Sequence, residues 1–254
     1  MDGLMTRNED RGVLRWGGLA GVAGGLLLFV VFVIVGAFVP AHAADPATAV
    51  RFFPEVGTVR IVENGLYLVV LILWVASLVG VERAAVPGAV SARIGGALGI
   101  GGLVLLAVGA LPHVAIAPLS AAYHAPGATA ADQATLALTW QAMQGILDAS
   151  LLAGLAVLST GLVALGVAMA TAPAFGRRLG GFAVAMGAIG VMESVVAVVD
   201  PGSPAPALGM VALIAFHLVA GWRTFTLSRG GRRIEARTPD LGTASARRAA
   251  VERA

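Results

Sequence analysis

Six long apolar runs dominate this chain and limit what it can fold into. A bilayer core needs about 20 apolar residues per helix. Only 12% of the 254 residues are charged, whereas soluble domains carry about 25%. The sequence therefore predicts an all-α, polytopic transmembrane bundle, with 16–227 as the membrane domain. Its six expected spans are 16–39, 64–81, 94–111, 149–170, 179–199 and 206–222.

The arginines predict the orientation of these spans. All 17 basic residues are arginine, and cytoplasmic loops collect basic residues. Only Arg51 and Arg60 fall in the predicted outer loops when both termini are placed inside. We therefore expect an N-in/C-in topology, with 1–15 as a cytoplasmic segment and 228–254 as a basic, disordered cytoplasmic tail. Abundant alanine, glycine and valine without lysine is typical of GC-rich bacterial coding, so the expected location is a bacterial plasma (inner) membrane.

Glycines mark two faces for close helix packing. Gly17, Gly21 and Gly25 in the first run lie at four-residue spacing, which lets helices approach closely in lipid. A second face on the third span carries Gly95, Gly99, Gly102 and Gly109. Ala41-His42-Ala43 resembles a signal-peptidase site, but a signal core is about 7 to 15 residues, shorter than 16–39. The first helix is therefore expected to remain on the mature protein.

The first two outer loops are long. The loop before the second span places Phe52 and Phe53 beside charged residues and is expected to contain a short interfacial helix. The next loop has Thr129 three residues before Asp132, which is typical of a capping box. The fourth helix is therefore expected to begin near residue 130 and to extend beyond the bilayer.

Polar side chains collect at the outer ends of the spans. Gln141, Gln144 and Asp148 lie three and four residues apart, on one face of the fourth helix. Together they predict an outward-facing vestibule for a small ligand or a partner. Its expected residues are Gln141, Gln144, Asp148, Glu193, His113, Glu63 and Asn64. The alternative is that polar residues collect at every membrane–water interface, which accounts best for Glu63 and Asp200.

Glu193 is the sharpest of these features. It lies about 22 Å along the fifth span from Arg178, at about 1.5 Å per residue. Charged side chains at that depth cost about 2.5 to 3.5 kcal/mol, so Glu193 should face the bundle interior, be protonated or be paired. It would form the floor of the vestibule, or it would be a structural residue hydrogen-bonded to a neighbour. His217 is expected to be hydrogen-bonded within the bundle.

Several functional classes are disfavoured. The chain has no cysteine, which excludes disulfides and cysteine nucleophiles. His42, His113 and His124 lack the regular spacing of metal ligands, and no catalytic constellation is discernible. No cofactor, metal or enzymatic activity is therefore expected. The arginines lie at span boundaries rather than on one basic face, so nucleic acid is not an expected partner despite the net charge of +3.

The segments "ALGVAMATAPAFGRRLGGFAVAMGAIGV" and "LGMVALIAFHLVAGWRTFTLSR" resemble a class of uncharacterised six-helix bacterial integral membrane proteins. That resemblance implies a topology but no activity. We expect a non-enzymatic sensory, regulatory or assembly component, with the lipid bilayer and a small ligand or membrane protein as partners. The alternative is a small-solute or proton-coupled transporter that uses Glu193 and Asp148. The nearly all-apolar inner halves of the spans weigh against a through-pathway.

Overall fold

The computed structural model describes residues 2–85, 89–200, 203 and 205–235. The regular elements of these ranges are all helices. They are α1 (Asp2–Phe38), α2 (Ala41–Ala44), α3 (Ala49–Ala84), α4 (Val90–Ala110), α5 (Pro112–Tyr123), α6 (Ala130–Thr171), α7 (Gly176–Val199) and α8 (Ala205–Glu235). Six stretches are long and apolar enough to cross a membrane, with α4 and α5 together forming one. The all-α, six-span bundle is thus confirmed, and the chain is a multi-pass integral membrane protein.

The six spans form a closed ring in the order α1, α3, α4–α5, α6, α7 and α8, and α8 packs back against α1. Consecutive spans run antiparallel. We call one end of the ring the arginine end, because Arg15, Arg83, Arg93, Arg178 and Arg223 lie there. The other is the histidine end, which carries His42, His113 and His124. Because the number of spans is even, both ends of the membrane domain lie at the arginine end.

Glycines at seven-residue spacing bring α6 into backbone contact with both of its neighbours. A Cβ atom at Gly95 of α4 would lie 2.6 Å from the Leu165 amide nitrogen, and one at Gly161 would lie 2.5 Å from that of Gly99. On the opposite side, a Cβ at Gly187 of α7 would lie 2.6 Å from the Ser159 carbonyl oxygen. A seven-residue repeat keeps one face in contact along helices that supercoil. The glycine face predicted on α4 contacts two different helices. A side chain at Gly99 would meet Leu78 of α3, whereas the other glycines of this face meet α6.

The glycine face of α1 packs as its spacing predicts. A Cβ at Gly17 would lie 2.8 Å from the Ala76 carbonyl oxygen of α3. One at Gly21 would lie 2.5 Å from Ser77 Oγ, and one at Gly25 would lie 2.9 Å from Leu218 of α8. The first half of α1 therefore fits into the groove between α3 and α8.

Two aromatic rings stack next to the glycine face of α1. The rings of Trp74 on α3 and His217 on α8 have centroids 4.1 Å apart and planes 9° apart. His217 Nδ1 lies 3.2 Å from Ser77 Oγ, at hydrogen-bonding distance, and His217 is fully buried. The expected hydrogen bond of His217 within the bundle is confirmed.

Helices continue past the membrane at the histidine end. α3 begins at Ala49, well before the expected start at Asn64. The prediction of a separate interfacial helix in that segment is therefore wrong. α6 begins at Ala130 behind a capping box of Thr129 and Asp132, as predicted. Its 42 residues span about 63 Å, twice the thickness of the hydrocarbon core.

These extensions pack into a small second core that includes Ala49, Val50, Ile116 and Trp140, which we call the cap. The imidazole Nε2 of His124 lies 3.0 Å from the Arg51 carbonyl oxygen and ties α3 to the end of α5. At the arginine end, α8 continues to Glu235, past the expected start of the tail at 228. The rest of the predicted tail, 236–254, lies outside the described residues.

The glycine contacts can be tested with two adjacent residues of α4. A Cβ at Gly102 would overlap the backbone of Leu158 and lie 2.7 Å from the Gly154 carbonyl oxygen, whereas Gly101 has nothing within 4 Å. We expect Gly102→Ala to lower the free energy of unfolding by about 1 to 3 kcal/mol through overpacking. Gly101→Ala should be neutral or slightly stabilising, since alanine favours helix. Thermal melting of both purified variants measures the difference, and equal melting temperatures would contradict close α4–α6 contact.

Candidate ligand site

A cavity of about 190 Å³ lies within the ring, in the half nearer the histidine end; we call it the chamber. Every span except α7 contributes to its wall. Most of the wall is apolar and includes Leu28, Val31, Leu106, Leu147, Leu151 and Met210. Apolar cavities of about 150 Å³ in other proteins bind benzene. The chamber is therefore large enough for a ring-sized apolar group.

The chamber lies where the close packing of the ring ends. The tight glycine contacts of α1 stop at Gly25, and Gly36 has nothing within 4 Å. Between α4 and α5 the helix is interrupted at Leu111, because Pro112 has no backbone N–H to donate. His113 follows this interruption directly, which places its imidazole at the rim of the chamber.

Polar side chains line one edge of the chamber. Glu63, Asn64 and His113 belong to its wall. Asn64 and His113 also line a second cavity of about 30 Å³, which we call the annex. Gln144 lines the annex as well. Four of the residues expected in the vestibule therefore meet around two adjoining cavities.

The charged side chains at this edge, Arg60 and Glu63, form an ion pair with each other. Arg60 donates a 2.9 Å hydrogen bond to the Glu63 carboxylate, and both side chains are about four-fifths buried. The ring of His113 lies 6.1 Å from that of Trp140, in a stacked arrangement. Arg60 and Trp140 both line the annex. Because Arg60 neutralises Glu63, the edge offers polar atoms without a net charge.

Gln141 and Asp148 belong to neither cavity wall. Both are exposed on α6, and Gln144 Nε2 donates a 2.9 Å hydrogen bond to Asp148 Oδ1. The polar stripe thus exists as a helix face, but only Gln144 of its three members turns towards the annex.

Glu193 lies apart from the chamber. It is 4% exposed, so it faces the bundle interior, as the cost of placing a carboxylate in hydrocarbon requires. Its carboxyl group packs on Gly209 of α8, where an added Cβ would overlap the carboxyl group unless that group shifted. Neither carboxyl oxygen has a hydrogen-bond partner in the described part of the chain. Since α7 does not contribute to the chamber wall, Glu193 does not form its floor.

Sequence reasoning did not assign Arg60 and Trp140, which line the annex, or Tyr67, which lines the chamber, to the site. Arg60, Asn64 and Tyr67 follow the i, i+4, i+7 pattern of one helical face of α3. That pattern was hidden because 49–63 was expected to be a loop with a separate short helix. Trp140 directly precedes Gln141 and is buried in the cap.

Comparisons with known proteins identify no relative: no family model, no curated protein and no solved structure matches this chain. The chamber and the annex are therefore the features of this chain that indicate a function.

The contact between Glu193 and Gly209 predicts a compensating pair of substitutions. We expect Gly209→Ala to destabilise the protein by about 1 to 3 kcal/mol, because the new methyl group collides with the carboxyl group. Adding Glu193→Ala should recover part of this loss by making room. Glu193→Met, which removes an unpartnered buried acid at similar volume, should be neutral or stabilising.

Melting curves of the single and double variants measure these differences. A Glu193→Met variant that is as unstable as Gly209→Ala would show that the carboxyl group has a stabilising partner.

Proposed function

We propose that the protein is a non-enzymatic component of a bacterial plasma membrane, sensory, regulatory or involved in assembly, and that it receives a small ligand in the chamber. The observation that carries this proposal is the chamber itself. It is an apolar cavity with a few polar groups at one edge, which is the usual composition of a small-molecule site.

The packing below the chamber supports a receptor rather than a channel. Towards the arginine end the ring is filled by Trp74, Leu78, Leu158, Leu162 and His217, none of which is more than 1% exposed. Glycines also pack against the backbone of a neighbouring helix at the α1–α3, α1–α8, α4–α6 and α6–α7 interfaces, which leaves little space there. A ligand that enters from the histidine end would therefore meet a closed floor.

The distribution of arginines supports placing the histidine end outside the cell. Arg51 and Arg60 lie at that end, and Arg60 is engaged by Glu63. At the other end, Arg223 donates hydrogen bonds of 2.8 and 2.6 Å to the Ala174 carbonyl oxygen in the α6–α7 loop. Basic residues at that boundary favour its cytoplasmic placement.

The alternative function is a small-solute or proton-coupled transporter that uses Glu193 and Asp148. The unpartnered oxygens of Glu193 are the one observation in its favour. Against it, Asp148 is exposed on α6 and bound to Gln144, whereas Glu193 is buried against α8. Two carboxyl groups placed in this way do not define a shared pathway.

Cysteine accessibility separates the two functions, because the chain has no cysteine of its own. We expect a membrane-impermeant thiol reagent added to intact cells to label Ala125→Cys at the histidine end and Leu151→Cys in the chamber. It should not label Leu158→Cys beneath the chamber, nor Thr171→Cys at the arginine end. Labelling is measured by the mass shift of the purified variants.

Each deviation from this pattern has a definite meaning. Labelling at Thr171→Cys would reverse the orientation, and labelling at Leu158→Cys would favour the transporter. A folded Leu151→Cys variant that stays unlabelled, while Ala125→Cys is labelled, would contradict a chamber open to the outside.

A further inference from the structure

The chamber and the annex are adjoining cavities that differ in the chemistry of their walls. They share Asn64 and His113. The chamber is lined mostly by aliphatic side chains. Four of the eleven side chains that line the annex are polar, and the rest are apolar; the polar four are Arg60, Asn64, His113 and Gln144. A molecule that occupies both cavities must therefore have an apolar body and a polar end.

The charges around the annex indicate that this polar end is uncharged. Arg60 is bound to Glu63, and Gln144 is bound to Asp148. An ionic ligand would have to break one of these pairs and carry its own charge into an apolar cavity, which is unfavourable.

Asn64 and His113 remain available for hydrogen bonding. Neither side chain makes a hydrogen bond within the described ranges. An amide and a neutral imidazole can each donate and accept, so together they match a hydroxyl or a carbonyl group.

The two volumes set the size of each end. The chamber, at about 190 Å³, exceeds the cavities of about 150 Å³ that hold benzene in other proteins. The annex, at about 30 Å³, has room for one small oxygen-bearing group. We propose that the site binds an uncharged amphiphile, with a ring-sized apolar body in the chamber and a hydroxyl or carbonyl oxygen held by Asn64 and His113. This assignment rests on the ligand-binding function proposed above and names its ligand class.

Three photoreactive probes that differ in one substituent test the proposal. They are 4-[3-(trifluoromethyl)-3H-diazirin-3-yl]phenol, the same molecule without the hydroxyl group, and the corresponding 4-benzoate. Each is added to the purified protein in lipid nanodiscs and irradiated, and the labelled residues are mapped by mass spectrometry. We expect the phenol to label Leu106 and Leu151 about tenfold more than the hydrocarbon does, because the hydrocarbon cannot form the buried hydrogen bonds with Asn64 and His113. The benzoate should not label them.

Matched variants show whether the labelling depends on the proposed contacts. Asn64→Leu keeps the number and branching of the side-chain heavy atoms and removes the polar group, so it should reduce chamber labelling by the phenol about tenfold. Gly65→Leu adds the same side chain one residue later, where nothing lies within 4 Å, and should leave the labelling unchanged. Ala110→Phe fills the chamber and should abolish the labelling. This variant also tests the site if Asn64→Leu fails to fold.

The outcomes distinguish this proposal from the one on which it rests. Equal chamber labelling by the phenol and the hydrocarbon, preference for the benzoate, or labelling unaffected by Asn64→Leu would overturn the ligand class. Absent phenol labelling with an accessible Leu151→Cys would also overturn the class and leave the open chamber standing. If the phenol fails and Leu151→Cys is inaccessible as well, both proposals fail.

Discussion

Helices surrounded by lipid have no hydrophobic force that drives them together, so their association depends on close van der Waals contact. In this protein α6 obtains that contact on both sides through glycine. Gly154 and Gly161 admit the backbone of α4, and Gly166 admits that of α7. The same principle holds α1 against α3 and α8 through Gly17 and Gly21. Four of the six interfaces of the ring, α1–α3, α4–α6, α6–α7 and α8–α1, contain a glycine packed against the backbone of the neighbouring helix. At α3–α4 and α7–α8 the glycines contact side chains instead.

The chamber lies where the close glycine contacts between the helices end. Along α1, contact with neighbouring helices is tight at Gly25 and absent at Gly36. Along α4, a Cβ at Gly109 would lie 3.0 Å from the Ser150 side chain rather than overlapping a backbone. Pro112 then interrupts the helix. The loosening leaves a chamber in one half of the ring, while Trp74 and His217 fill the other half.

The spacing of residues along single helices was sufficient to predict much of this structure. The six apolar runs, the capping box at Thr129 and the close-packing face of α1 all depend on neighbours within one helix. Those features are local, so the printed sequence contains them. The burial of His217 and Glu193 also followed from the cost of polar groups in hydrocarbon.

What could not be predicted depends on how the helices are rotated against each other. Glu193 and Gln144 were assigned to one vestibule, as floor and wall, because both lie in the outer part of the molecule. Depth does not determine which way a side chain points, and Glu193 points to Gly209 instead. The start of α3 was placed too late, because Pro54 and the charged residues around it resemble a loop. That error concealed Arg60, whose pairing with Glu63 determines the charge of the site.

The ring holds an apolar chamber in the half nearer the histidine end and is solidly packed in the half nearer the arginine end. Crystals of the protein held under xenon gas test this arrangement most directly, since xenon enters apolar cavities of this size. We expect a xenon atom between Leu106, Leu147 and Leu151, and none beside Trp74 and His217. Xenon beside Trp74 and His217, or a chamber that stays empty of xenon while other apolar sites fill, would contradict this account.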